Sequence, residues 1–195
     1  MQLASGDPLH SISESYHYRA RDWFVGLLFA VSVLFFSFKG ENGFERKLTI
    51  LAALCAALVA VAPCACGRST TLISVFHFPA AAGVFAIIGY FCWRFRRTAI
   101  AKALKYPEAK HRVRAYSVCL LGMIGCWLMT VVYAVARVFS GNAIDTLFPN
   151  YVFWLEAVGL VSFGASWLLA SRTLPFVTNA NERYSIIEST APEDR

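Results

Sequence analysis

The chain is short of charge. Asp, Glu, Lys and Arg make up 15% of its 195 residues, well under the about 25% of an average soluble domain, so a water-coated globule of ordinary composition is excluded. It has no Gly-rich phosphate loop, no GxSxG nucleophile turn, no closely spaced HExxH pair and no internal repeat. Nucleotide, serine-hydrolase and zincin chemistry therefore have no local element to build on. The first fifteen residues lack both a basic stretch and an apolar run, and no cleavable signal peptide is expected.

What fills the chain instead is apolar: 57% of residues are hydrophobic and the mean hydropathy is +0.53. A span needs about 20 mostly apolar residues to cross about 30 Å of hydrocarbon. Five stretches qualify, at about 16–38, 48–66, 75–93, 116–138 and 151–171. Backbone amides inside lipid must be satisfied within their own segment, which predicts helices. The expected fold is all-α: a polytopic bundle of five spans, with residues 1–15 as an extracytoplasmic segment and 172–195 as a flexible cytoplasmic tail.

Basic residues in short loops concentrate on the cytoplasmic side. Residues 39–47, 94–114 and the tail hold fourteen of the eighteen Lys and Arg, against Arg19, Arg21, Arg68 and Arg137 on the other side. This alternation predicts an amino terminus outside and a carboxyl terminus inside, which five spans satisfy. The basic loop "RFRRTAIAKALKYPEAKHRVR" reads as a topology determinant touching lipid headgroups, with no nucleic-acid partner. Tyr16, Tyr18, Trp23, Tyr151, Trp154 and Trp93 match interfacial belts.

Small residues at helical spacing predict where helices meet, because lipid supplies no hydrophobic drive for association. The expected seams are Ala53, Ala57, Ala60 and Cys64; Ala82, Ala86 and Gly89; Cys119, Gly122 and Cys126; and Gly159, Phe163 and Ser166. Cys64 and Cys66 in "PCAC" are expected to be free, since a pair so close in sequence is strained.

Ionisable groups at membrane depth are costly and mark candidate sites. Glu156 lies five residues into the last span, on the Gly159–Phe163–Ser166 stripe, and is expected to face inward. Arg137 extends the Cys119–Gly122–Cys126 stripe, which predicts an Arg137–Glu156 ion pair. In "SISESYHYRARDWF", Ser11 and Glu14 have capping-box spacing. A helix starting there would carry Glu14, His17 and Arg21 along one face with Asp22 nearby. Together with His77, which opens the third span, these residues define an expected ligand-binding pocket: Glu14, His17, Arg21, Asp22, His77, Arg137 and Glu156.

"ISE" (Ile12 to Glu14) before an inward-going span, followed by "HFPAAAGVF" (His77 to Phe85) opening the next one, resembles the Frag1/DRAM/Sfk1 superfamily and the related bacterial DUF998 membrane proteins. The resemblance covers most of the chain, but that superfamily generally has six spans and the first is missing here. It implies membrane-lipid handling and carries over to Ile12, Ser13, Glu14 and His77. The expected function is binding of a lipid headgroup or small polar ligand in an outer-leaflet pocket of a bacterial inner or plasma membrane. Two alternatives stay open: a metal-dependent hydrolase with zinc on His10, His17 and His77, and an ion or proton pathway through Glu156.

Overall fold

The computed structural model describes residues 9–65, 72–103, 110–141, 143 and 149–170. The expected tail, Cys66, Arg68 and Lys105 lie outside them. Among the described residues the secondary structure is all helical. Two short 3-10 turns, Ser13–His17 and Ser74–Phe76, accompany five α-helices: α1 (Arg21–Ser37), α2 (Gly43–Val61), α3 (His77–Ala103), α4 (Lys110–Ser140) and α5 (Tyr151–Ala170).

Three segments are long and apolar enough to cross a membrane: Ser74–Ala103, Lys110–Ser140 and Tyr151–Ala170. Physical reasons shorten the first two helices. The expected span from residue 16 loses its start because Tyr18 is extended (φ −121°, ψ −179°), which separates the 3-10 turn from α1. The span expected to reach residue 66 stops at Val61 because Pro63 disfavours helical geometry in the residue before it, and Ala62 accordingly sits at φ −91°, ψ 110°. Conversely, α3 runs ten residues past its expected end at 93, through the basic "RFRRTAIAKA".

Helices adjacent in sequence pack against each other, and α3 also touches α5. The turn between α1 and α2 is drawn tight by Gly40 at φ +68°, where a Cβ would lie 2.8 Å from that of Glu45. Asn42 then caps α2 by accepting the Glu45 N–H at 2.8 Å, while the Glu45 carboxylate accepts the Glu41 N–H at 2.8 Å. Arg46 donates to the Phe36 and Phe38 carbonyls at 2.6 and 2.9 Å, satisfying oxygens that the end of α1 leaves without helical partners.

The core joins Phe35 of α1, Ala52, Ala53 and Ala56 of α2, Val84, Ile87, Ile88 and Phe91 of α3, and Met123 of α4. Trp167 of α5 closes it, with ring centroids 4.7 Å from Phe38 and 5.8 Å from both Phe35 and Phe95. The α2 seam is buried as expected at Ala53, Ala60 and Cys64. The α4 and α5 seams meet closely: a Cβ on Gly122 would fall 2.5 Å from the Ser162 hydroxyl, and one on Gly159 2.9 Å from the Phe85 ring. The α3 seam is corrected. Ala82 and Ala86 face outward, because the opposite stripe of Val84, Ile87, Ile88 and Phe91 offers more packing area, and dispersion contact decides helix association where water is absent.

The outer surface is strongly apolar. Trp23, Leu34, Leu121, Val138 and Val161 are each more than 60% exposed, a pattern that in water would be a liability and in lipid is solvation. The fold therefore defines a helical, membrane-type protein.

Candidate functional site

The bundle has two polar ends, called here the His77 end and the Arg94 end. At the His77 end residues 9–18 form a strap across the helix tops. Ser11 and Glu14 do make the local contact their spacing predicts: the Glu14 N–H donates to Ser11 Oγ at 3.1 Å, and the Glu14 carboxylate accepts the His10 N–H at 2.7 Å. This cap starts a five-residue 3-10 turn and not the head of the first span. Glu14, His17 and Arg21 therefore do not share one helical face.

The strap is tied to distant elements. The Ile12 N–H donates to Glu156 Oε2 at 2.6 Å, the Ser13 N–H also donates to that carboxyl, and the Phe153 N–H donates to the His10 carbonyl at 2.9 Å. Ile12 and Tyr16 pack on a second core cluster formed by Phe24, Val59 and Ala80. Leu9 and Ser15 are fully buried. Glu156, half-buried, thus serves as the acceptor that holds the amino-terminal segment to α5.

The two inner histidines share one platform. His17 Nε2 donates to the Cys64 carbonyl at 2.8 Å, and His77 Nδ1 donates to the Ala62 carbonyl at 2.7 Å. Both oxygens belong to the segment where Pro63 has ended α2, so they lack helical partners and recruit ring N–H groups. Because a carbonyl only accepts, the proton of a neutral His77 resides on Nδ1, and Nε2 presents a lone pair. His77 is 1% exposed, and its Nε2 and the Ser15 hydroxyl have no hydrogen-bond partner among the described residues. Cys64 is disulfide-bonded, which corrects the expectation of a free thiol; its partner lies outside the described residues. Cys55, Cys92, Cys119 and Cys126 are free.

The remaining expected site residues are elsewhere. Arg21 is exposed, lying 4.7 Å over the Tyr16 ring with its guanidinium donating to the Tyr16 hydroxyl at 3.2 Å, and Asp22 is exposed on the first turn of α1. Arg137 is exposed near the end of α4. The Arg137–Glu156 pair does not form, and the reason is height. The Tyr133 ring lies 5.5 Å from that of Tyr151, the first residue of α5, in a tilted contact. Arg137 is four residues above that level and Glu156 five below it, a separation of about 13 Å at about 1.5 Å per residue. His10 is exposed, and among the described residues no three His, Cys, Asp or Glu side chains group around a common metal position. The zinc set His10, His17 and His77 is not assembled.

The ion pairs among the described residues are at the other end, where Arg94 of α3 meets Glu45 at 2.8 Å and Glu41 at 3.0 Å. Glu45 is 2% exposed, a buried carboxylate whose oxygens are shared between the Arg94 guanidinium and the Glu41 N–H. Sequence reasoning treated this loop as a topology signal alone, although Asn42 and Glu45 have capping spacing in "ENGFE". Beside the pair opens a cavity of about 400 Å³ reached from the α1–α2 turn, α3, α4 and α5. Nothing in the spacing of its lining residues signalled it, since they are spread over four separate segments.

Comparison with family models, with curated proteins and with solved structures gives no match. The resemblance noted above rests on its short motifs alone.

Proposed function

We propose that this is an integral membrane protein of five spans, amino terminus outside and carboxyl terminus cytoplasmic, which binds a lipid headgroup or small polar ligand at the His77 end. The observation that carries the reading is the engagement of Glu156 by the strap. A carboxyl at membrane depth is expensive and persists where it has work to do, and here its donors are two backbone N–H groups of a short, separable segment. The strap stands where the N–H or O–H groups of a ligand would stand. Displacing it frees Glu156 as an acceptor, and the His77 Nε2 lone pair has no hydrogen-bond partner among the described residues.

Two features support the topology. α1 has seventeen residues, at the lower limit of about 17–25 for a span, and Trp23 at its head is 67% exposed where an interfacial anchor belongs. The basic residues alternate between ends as the positive-inside rule requires. Absence of labelling of an engineered tail cysteine from outside intact cells is the expected result; labelling there refutes the topology.

The ligand reading is tested by the lipid and metal content of purified protein. Glu156→Gln keeps an oxygen for the strap but loses the carboxylate. Wild type is expected to co-purify with one class of donor-bearing lipid or solute, metal-free, and the variant to release it. Stoichiometric zinc lost on His77→Ala overturns the reading in favour of the hydrolase.

A further inference from the structure

Glu156 is a carboxylate at membrane depth that no cationic side chain among the described residues balances. Its donors are the Ile12 and Ser13 N–H groups, both neutral, and the ion pairs among the described residues are at Arg94. The cations at its own end are placed away from it. Arg137 stands about 13 Å higher along the helices at about 1.5 Å per residue, and Arg21 is exposed over the Tyr16 ring. A charge out of water is costly unless an opposite charge meets it, and ionisable groups within spans pair with one another for that reason. The missing element is a cation.

Room remains for one. A carboxylate offers about four acceptor positions, and among the described residues the strap fills two. The side chain is half-buried, so part of it stays accessible while the strap is docked. Its depth is also suited. Glu156 lies five residues below Tyr151, the head of α5, which is about 7 to 8 Å at about 1.5 Å per residue. A bilayer of about 40–45 Å around a core of about 30 Å leaves about 5 to 8 Å of headgroup region in each leaflet. In the proposed topology the carboxylate is therefore level with the base of that layer.

Hydrogen bonding at this end narrows the kind of cation. The backbone N–H groups of His10, Ile12, Ser13 and Glu14 and the ring N–H groups of His17 and His77 all donate inside the protein. An entering anion meets donors that are already taken. Acceptors are in surplus: Glu156 has positions to spare, and His77 Nε2 has no hydrogen-bond partner among the described residues. An ammonium places three N–H donors on one charged centre, and hydrogen bonds from an ionised donor to a carboxylate are about twice as strong as neutral ones.

We infer that the ligand of the His77 end, on the reading of that end as a binding site, carries a primary ammonium that pairs with the Glu156 carboxylate. The ethanolamine headgroup of a membrane lipid and a free amine share this chemistry. Fully methylated nitrogen keeps the charge and loses every donor, so the number of N–H groups is the property the site reads.

Native mass spectrometry of full-length protein released from nanodiscs is the test. Phosphatidylethanolamine, its N-monomethyl and N,N-dimethyl derivatives and phosphatidylcholine are the probes, because the nitrogen is cationic in all four while its N–H groups are removed one at a time. Phosphatidylglycerol is the anionic control. One retained phosphatidylethanolamine per chain is expected, preferred at least tenfold over phosphatidylcholine, with the two derivatives in order between them. Glu156→Gln, which keeps an oxygen for the strap, is expected to lose that preference at least tenfold; the lipid series on wild type needs no variant and stands by itself. Displacement by millimolar ethanolamine supports the ammonium and assigns it to a soluble amine, and resistance to it supports the lipid. Equal retention of phosphatidylethanolamine and phosphatidylcholine, or a preference for phosphatidylcholine, overturns the inference. Retention of phosphatidylglycerol or another class without an ammonium, released by Glu156→Gln, overturns the ammonium and leaves the binding site at the His77 end standing. Retention of no ligand by wild type, or retention that Glu156→Gln leaves unchanged, overturns both.

Discussion

Replacing Glu156 by alanine removes the acceptor that fixes the strap and leaves the N–H groups of Ile12 and Ser13 to find water. Each lost bond is worth about 1 to 1.5 kcal/mol net, together about 2 to 3 kcal/mol. At about 1.4 kcal/mol per factor of ten, the strap should open about 30 to 150 times more often. Opening is readable at Ser15, a residue of the strap that is fully buried while the strap is docked. Ser15→Cys in otherwise wild-type protein is expected to react slowly with a membrane-impermeant maleimide, at a rate set by rare opening. Adding Glu156→Ala should raise that rate by the factor above, while Glu156→Gln, which keeps an oxygen facing Ile12, should raise it much less. The Phe153 to His10 and His17 to Cys64 bonds persist in both variants, so the folded bundle is not at stake. Rates for Glu156→Ala within threefold of the parent would show that the carboxyl does not hold the strap.

Gly122→Ala places a methyl 2.5 Å from the Ser162 hydroxyl and is expected to lower stability by about 1 to 3 kcal/mol through overpacking. Adding Ser162→Ala should restore most of it, because the Ser162 Cβ lies at 3.5 Å, an ordinary contact; a double-mutant cycle in detergent unfolding measures the coupling. Arg94→Ala strands the buried Glu45 carboxylate and should cost about 3 kcal/mol, with Arg94→Ala in a Glu45→Gln background costing clearly less; equal losses would mean that the pair is not what stabilises that end. His77→Leu leaves the Ala62 carbonyl without its donor in a buried setting, an expected loss of about 1 to 3 kcal/mol. Thermal denaturation showing no change would remove His77 from the account of that end.

The apolar runs announced helices, and the last span, expected at 151–171, is the helix Tyr151–Ala170 almost to the residue. Composition alone carried this, because a run of apolar residues with few charges has one solution in lipid. Errors came where local geometry overrode the pattern: Tyr18 broke the first helix, Pro63 ended the second, and the facing of Ala82 and Ala86 was decided by bulkier neighbours on the opposite stripe. Pro63 was visible and its effect on Ala62 followed from a general rule, so the platform of freed carbonyls under His17 and His77 was within reach. Arg137 was different. It falls on the helical repeat of Cys119, Gly122 and Cys126 yet is exposed where those cysteines are buried, and the relative heights of α4 and α5 depend on how two helices slide past one another, which no single-chain periodicity records. The cavity under Trp167 depends on four segments meeting and has no local trace.

The strap links residues at opposite ends of the chain, Ile12 and Glu156 being 144 positions apart. During synthesis at about 5 to 20 residues per second the interval between them is about 7 to 30 seconds. For that time Leu9, Ile12 and Ser13 have been made but the helix that receives them has not. The strap is therefore made before the helix that receives it, and its docking reports that α5 is in place. A chain stalled before residue 156 would display an undocked amino terminus, giving quality-control machinery a ready means of telling an unfinished bundle from a complete one.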